Sequence, residues 1–157
     1  MSETACDSRV ETYKHIHEVQ QCMAAVIRSL VYRSLKHDQS KLESPERELF
    51  DEFTPMLKGL TYGSDEYKAA LDGLRPALEH HYQRNRHHPE HFGELGIRGM
   101  TLIDLIEMLC DWKAATMRHA DGDIARSIDI NQQRFGYSDD LRIIFHNTLK
   151  FIDPTYV

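Results

Sequence analysis

The stretch Lys36-His37-Asp38-Gln39-Ser40-Lys41 follows a long helical pattern and places two kinds of metal ligand side by side. A neutral imidazole nitrogen and a carboxylate oxygen on adjacent residues reach the same divalent ion only where the backbone turns. The stretch therefore predicts a helix end or a helix break at His37-Asp38. By itself such a pair is more often a helix C-cap with a solvated acid, so the rest of the chain must decide between the two interpretations.

Upstream of this turn, a stretch without Gly or Pro, from about Arg9 to Leu35, predicts one long helix. His15 and His17 flank its apolar face on opposite sides, so only one of them is expected to point toward a site near the turn. Residues 1–8 are expected to be frayed. The apolar positions recur at steps of three and four residues and are Ile16, Val19, Met23, Ile27 and Leu30.

Downstream of the turn, helix-capping residues predict two further helices. Ser44-Pro45-Glu46 combines an N-cap, a proline at the first helical position and an acid in the first turn. That helix is expected to end before Pro55, with a loop at residues 54–63. Ser64 caps the next helix, which is expected to run to about Arg84 and to be kinked, or to lose one hydrogen bond, at Pro76.

The second half of the chain begins with a Gly- and Pro-rich stretch at residues 86–100, which predicts an irregular loop. Thr101 and Asp104 form a capping box for a helix from residue 102 to about 119. A short helix to about Phe135 and a last helix capped by Ser138 complete the pattern. No β-strand alternation is present, so the predicted fold class is all-α, in a single domain over residues 1–157.

Eight of the ten histidines lie between positions 15 and 91, and two adjacent pairs are prominent among them. On the helix that ends near Arg84, the apolar line passes through Leu74 and Leu78 and continues to His81 and Asn85, which are therefore expected to face inward. His80 is expected to lie to the side. If the helix continues, His88 falls on the same line. Because each pair is adjacent in sequence, His80 remains an alternative to His81, and His87 an alternative to His88.

Two acids, Glu107 and Asp111, lie one turn apart on a helix whose other residues are largely apolar. A solvated helix face is the simpler interpretation, but carboxylates flanked by Leu109, Cys110 and Trp112 are harder to dismiss as surface acids. Cys22 and Cys110 lie in apolar helical stretches and are predicted to be core thiols.

The composition limits the compartment and the partners. Formal net charge is −6, from 19 Lys and Arg against 25 Asp and Glu, which argues against general binding of DNA through a basic surface. The longest apolar runs are too short to span a bilayer, and the polar, acidic N-terminus is unlike a signal peptide. No membrane partner is therefore expected. Three cysteines without zinc-type spacing indicate reduced thiols, and hence a cytoplasmic protein.

Together these residues resemble the motifs of a known enzyme superfamily. His15-x-x-x-Val19, His37-Asp38-x-x-Lys41 and the late Asp111-Trp-Lys-Ala-Ala resemble, in order and type, the HD-domain metal-dependent phosphohydrolase superfamily. The stretch from His81 through Asn85-Arg86-His87-His88-Pro89, with Glu107-Met-Leu-Cys-Asp-Trp, is similar to a small, poorly characterised bacterial and phage family of HD-like proteins. The resemblance implies a helical bundle of about five to seven helices.

The resemblance also implies roles for individual residues. One or two divalent transition ions (Mn, Fe, Zn, Ni or Co) are expected as cofactors, and a small phosphorylated compound, first of all a nucleotide, as substrate. A homo-oligomer is compatible with the pattern. The expected metal ligands are His15, His37, Asp38, His81, His88 and Asp111. The expected catalytic residues are Asp38, Lys41 and Glu107. The expected substrate contacts are Lys41, Arg84, Asn85, Arg86 and His87.

Three functions follow from these expectations. The first is hydrolysis of a nucleotide or other small phosphoester by metal-activated water. The second is a non-catalytic regulatory module that keeps a metal or nucleotide site. The third is an oxidative di-iron enzyme, as some HD-like proteins are. Metal content together with a phosphatase screen separates the first two, and oxygen consumption with ferrous iron would favour the third.

Overall fold

The computed structural model describes residues 7–58, 65–118 and 122–156. Within these ranges every regular element is helical, which confirms the predicted all-α fold class. None of the described helices is both long enough and apolar enough to cross a membrane. The chain divides into two compact units, Met1–Leu35 and Lys36–Val157.

Helix α1, Arg9–Lys36, makes up most of the described part of the first unit, and its bounds agree with the predicted ones to within one residue. It contains no buried residue. Cys22 is exposed on it, and Cys110 is exposed in the second unit, so the prediction of core thiols is wrong for both. The reason is that periodicity reports the local geometry of a helix, whereas burial depends on contacts with other elements.

The predicted break at the His-Asp pair is confirmed. Asp38 adopts the left-handed backbone region, with φ 55° and ψ 14°, and a 3₁₀ turn at Gln39–Leu42 follows directly. Apart from glycine, aspartate and asparagine are the residues that adopt this region most readily. The helix α1 ends at Lys36, and His37 and Asp38, which belong to the second unit, lie among other side chains of that unit.

Helices α2, Glu46–Lys58, and α3, Asp65–Arg84, pack on each other. α2 continues through Pro55, so the predicted end before Pro55 is wrong and residues 54–58 are helical rather than loop. Packing against α3 offsets the hydrogen bond that the proline removes. α3 likewise continues through Pro76. Residues 59–64, which include the rest of the predicted loop and the Ser64 cap, lie outside the described residues.

The segment predicted as an irregular loop is folded into 3₁₀ turns over Pro89–Gly99, interrupted at Gly93 and Gly96. Both glycines have positive φ, of 55° and 49°, which side chains rarely tolerate. The loop prediction was therefore right about irregular backbone and wrong about the absence of helical turns. The segment packs against α3, which places the histidines that precede it beside the end of that helix.

Three more helices complete the second unit: α4, Leu102–Thr116, α5, Ile124–Phe135, and α6, Asp139–Ile152. The capping box at Thr101 and the N-cap at Ser138 are confirmed, although α4 ends three residues earlier than predicted. These helices enclose an apolar core, and the side of α4 that carries Glu107 and Asp111 faces His37. The buried core residues are Met108, Leu109, Ile124, Ile128, Tyr137, Phe145 and Leu149.

Candidate metal centre

Three imidazoles converge on one oxygen of Asp38. The Nε2 atoms of His81 and His87 lie 3.3 and 3.4 Å from Asp38 Oδ1, and His88 Nε2 lies 3.0 Å from His81 Nε2. One ligand atom from each of these four residues falls within 4.8 Å of the others. We call these four residues the three-histidine group. Three nitrogens and one carboxylate oxygen at this spacing are a donor set that divalent transition ions take.

A second set of ligand atoms surrounds the other oxygen of Asp38. His37 Nε2 lies 3.7 Å from Asp38 Oδ2 and 3.5 Å from Asp111 Oδ1. One ligand atom from each of these three residues again falls within 4.8 Å of the others. We call them the Asp111 group. Asp38 belongs to both groups and faces each with a different oxygen, which is the arrangement of a carboxylate that can bridge two ions.

The Glu107 carboxylate orients one histidine of each group. Its Oε1 accepts from Nδ1 of His37 at 2.9 Å and lies 3.2 Å from Nδ1 of His87. Both rings therefore direct Nε2 toward Asp38. A carboxylate that holds the far nitrogen of a metal-binding imidazole fixes its tautomer and its orientation. His37, His87 and Glu107 also form a third set of ligand atoms within 4.8 Å, but the contacts of both imidazoles with the carboxylate already account for that spacing.

A second carboxylate, that of Glu46, orients His81 and was not predicted. Glu46 is fully buried at the start of α2, and its Oε2 accepts from Nδ1 of His81 at 2.8 Å. The Ser40 hydroxyl donates to the same oxygen at 3.0 Å, and the Asn85 amide donates to Ser40 at 2.8 Å. His80 donates to the other Glu46 oxygen at 2.7 Å. This network fixes the orientation of His81 from the side opposite Asp38.

The fit of these residues to a metal ion is tested by atoms that lack a protein partner. Among the described side chains, Asp38 Oδ1 and His87 Nε2 are buried and form no hydrogen bond within the protein. Leaving a buried polar atom unsatisfied costs about 1–3 kcal/mol. The two atoms face each other across 3.4 Å within the three-histidine group. A divalent ion held by that group would satisfy both, so the residues present fit such an ion.

The charge states of Asp38 and His88 in the three-histidine group suit ligation as well. Burial opposes ionisation of Asp38, but the neighbouring His81 imidazole and the hydrogen bond from the Lys41 ammonium outweigh it and hold the pKa of Asp38 far below its usual range. Burial, together with the neighbouring His87 and His81, lowers the pKa of His88 to about 3. At neutral pH Asp38 is therefore an anion and His88 a neutral imidazole, which are the forms that bind metals. Hydrogen bonds to Asp111 and Glu107 raise the pKa of His37 to about 10, so His37 is protonated at neutral pH and an ion at the Asp111 group would have to displace the proton on Nε2.

The residues predicted to contact substrate lie in different settings. Lys41 Nζ donates to Asp38 Oδ2 at 2.7 Å and stands over the Phe50 ring, at the edge of both groups. His87 belongs to the three-histidine group, and Asn85 is buried in the Glu46 network. Lys41 is therefore the predicted substrate contact whose position best matches its role.

Two predicted arginine contacts and one predicted ligand belong to neither group. Arg86 forms an ion pair with the buried Asp104 at 3.2 Å and lies over the Phe92 ring. These two contacts give its guanidinium group a structural role. Arg84 is exposed in the last turn of α3. His15, like its neighbour His17, is exposed on α1 in the first unit, and it belongs to none of the three ligand sets found among the described residues. The roles of Arg84 and His15 stay predictions.

A cleft adjoins both groups. It has a volume of about 450 Å³, and its lining includes His88 from the three-histidine group and Asp111 from the Asp111 group. The opposite part of the lining comes from α5, which the sequence had not connected with a site. A small molecule in this cleft would therefore contact ligand residues of both groups.

The comparisons with known proteins give a family and no activity. Residues 4–153 match the model of one family, described as a family of unknown function (DUF5662). No curated protein and no solved structure matches the chain. The matched range contains every residue of both groups and of the cleft.

Proposed function

The chain belongs to the DUF5662 family, and we propose that it is a metal-dependent phosphohydrolase acting on a nucleotide or another small phosphoester. The strongest support is Asp38, which presents one oxygen to each of two adjacent sets of ligand atoms. Two ions held a few ångströms apart are a common arrangement in phosphoester hydrolysis. The resemblance of His37-Asp38-x-x-Lys41 and Asp111 to the HD-domain superfamily supports the same function.

The cofactors we propose are one or two divalent transition ions: Mn, Fe, Zn, Ni or Co. The three-histidine group would hold one ion and the Asp111 group the other. Such ions, when bound, lower the pKa of water and stabilise negative charge on phosphoryl oxygens. The Asp111 group offers three protein ligands, which leaves room for substrate or water at a second ion.

The remaining roles belong to the protein's own side chains. Lys41 places a positive charge at the edge of both groups and is more than one-third exposed, so its ammonium can turn toward a substrate phosphate. Glu107 and Glu46 are positioning residues that direct imidazole nitrogens toward Asp38. His88 and Asp111 line the cleft, so the phosphoester of a bound substrate would lie at that end of it.

The imidazole-rich donor set also suits iron, which keeps the oxidative di-iron alternative as the second candidate. Four of the residues in the two groups are histidines. Oxygen consumption by the ferrous protein, without phosphoester turnover, would favour that alternative over hydrolysis.

We expect the metal-stripped protein to be inactive and to gain phosphoester turnover when Mn²⁺ is restored, because the ligand side chains alone supply no activated nucleophile. The measurement is phosphate release from a panel of nucleoside monophosphates, sugar phosphates and phenyl phosphate. His146→Ala is a matched control, since His146 lies in α6 beside Asp129 and outside both groups. Absence of turnover with each of the five metals on every member of the panel would refute the proposed hydrolysis.

A further inference from the structure

The part of the cleft lining that comes from α5 is a polar stripe. Ser127, Asn131 and Arg134 stand four and three residues apart, so they share one face of the helix. All three line the cleft that also contains His88 and Asp111. We call Ser127, Asn131 and Arg134 the α5 stripe.

The α5 stripe offers hydrogen bonds but little net charge. Arg134 is already paired with Glu90 at 2.8 Å, so the charge of the guanidinium is balanced while its other N–H groups can still donate. Asn131 donates to the Ser127 hydroxyl at 3.3 Å, which leaves the Asn131 carbonyl as an acceptor and the Ser127 hydroxyl as a donor. Neutral hydroxyl groups can use these donors and this acceptor, whereas a second anionic group gains little from a guanidinium whose charge Glu90 already balances.

Aromatic side chains supply the rest of the recognition surface. Tyr82 and Trp112 line the same cleft and offer apolar faces beside the polar stripe. A volume of about 450 Å³ lies within the range of roughly 300–1,000 Å³ that small-ligand sites occupy. A ring with apolar C–H faces and several hydroxyl groups matches both kinds of surface.

We propose that the α5 stripe binds the alcohol part of the substrate and that this alcohol is a sugar. Its ring hydroxyls would bond Ser127, Asn131 and Arg134 while the phosphoester lies at His88 and Asp111. This inference rests on the proposed function and adds the substrate class to it. A sugar phosphate and a nucleoside monophosphate share the ring, and a nucleoside would add a base within reach of Trp112.

The test is the double variant Ser127→Ala with Asn131→Ala in the metal-loaded protein. Loss of two neutral hydrogen-bonding side chains should lower kcat/KM for ribose 5-phosphate about tenfold. Turnover of phenyl phosphate, which has no hydroxyl groups, should change by less than about twofold. Alanine favours helix, so α5 should stay folded. Gln133→Ala is the matched control, because Gln133 is exposed on the same helix and outside the cleft lining.

A binding measurement separates this inference from the proposed function. Calorimetric titration with ribose 5-phosphate should show about tenfold weaker binding to the double variant than to the wild type, even if no phosphoester is hydrolysed. If the double variant binds ribose 5-phosphate about tenfold more weakly but the wild type hydrolyses no phosphoester, the proposed hydrolysis is refuted and sugar binding by the α5 stripe is supported. Sugar binding by the α5 stripe would be refuted if the wild type did not bind ribose 5-phosphate. It would also be refuted if the double variant lowered kcat/KM for ribose 5-phosphate and for phenyl phosphate equally. Tighter binding of adenosine 5′-monophosphate than of ribose 5-phosphate would support the stripe and identify a nucleoside as the source of the sugar.

Discussion

Asp38→Asn should lower metal affinity by about 100-fold or more and abolish metal-dependent turnover. Asp38 is the one residue that both ligand groups share, and it faces each with a separate oxygen. Its replacement therefore weakens both sites at once, and the amide supplies no negative charge to bridge two ions. Residues that only orient ligands already change metal affinity 10- to 100-fold, so a shared ligand should exceed that effect. Elemental analysis and phosphate release measure the two consequences.

Asparagine is the informative substitution because of the backbone at this position. Asp38 has φ 55°, a region that asparagine adopts nearly as readily as aspartate. Alanine there would add about 1–2 kcal/mol of backbone strain and confuse loss of a ligand with loss of stability. Asp38→Asn loses the ion pair with Lys41 but keeps the backbone geometry, so its unfolding midpoint in excess chelator should fall less than that of Asp38→Ala. If the Asp38→Asn variant kept its full metal content, Asp38 would not be a metal ligand but only an acidic residue at a helix end.

A contrast is expected between His81→Ala and His88→Ala. Both residues belong to the three-histidine group, so either substitution should lower metal affinity by about 100-fold. Only His81 also donates to the fully buried Glu46 carboxylate. Its loss should therefore cost a further 1–3 kcal/mol or so of unfolding free energy in the presence of chelator, because a buried charged group loses a hydrogen bond. His88 is neutral, so its removal should cost less than about 1 kcal/mol.

Excess chelator separates the effect of each histidine on folding stability from its effect on metal binding. Denaturant unfolding with excess chelator reports the structural contribution of each histidine, and competitive metal titration reports ligation. His146→Ala again serves as the control, with neither effect expected. If the two variants were equally destabilised under chelator and both kept metal, the histidines would only hold the end of α3 to the segment after it.

Much of the fold could be predicted because its signals are local. Helix α1 was predicted almost to its ends from apolar spacing, and Thr101 and Ser138 marked the starts of α4 and α6 through their caps. The failures came from contacts between elements. Pro55 lies inside α2 because packing on α3 outweighs a missing hydrogen bond, and Cys110 is exposed although its neighbours in sequence are core residues.

The site was predictable where one helix or one turn set the direction of a side chain. Asp38 lies in one set of ligand atoms with His37 and Asp111 and in another with His81. The role of these four residues as metal ligands, which the resemblance to the HD-domain superfamily implies, stays a prediction. Helical register could not place the two histidines after Arg84, because α3 ends there and His88 has an extended backbone. Hence His87, predicted as a substrate contact, lies among the ligand atoms together with His88.

Glu46 shows a different limit of prediction from sequence. As an acid in a first helical turn it looked like a partner for the helix dipole, which is the commoner role. Its contact with His81 joins residues 35 positions apart and depends on how α2 packs on α3. Neither the spacing nor the composition of the sequence carries that information. The α5 stripe was missed for the same reason, since its relation to His88 and Asp111 exists only in the folded second unit.

Metal bound to the wild-type chain, purified without chelator and measured by elemental analysis, tests the central claim most directly. Two ligand groups that share Asp38 predict bound divalent transition metal, rising to about two ions per chain when Mn²⁺ or another such ion is supplied. The melting temperature of the stripped protein should rise with the concentration of added ion, as mass action requires. A chain that carries no metal, and whose melting temperature does not change with manganese, iron, zinc, nickel or cobalt, would contradict the account.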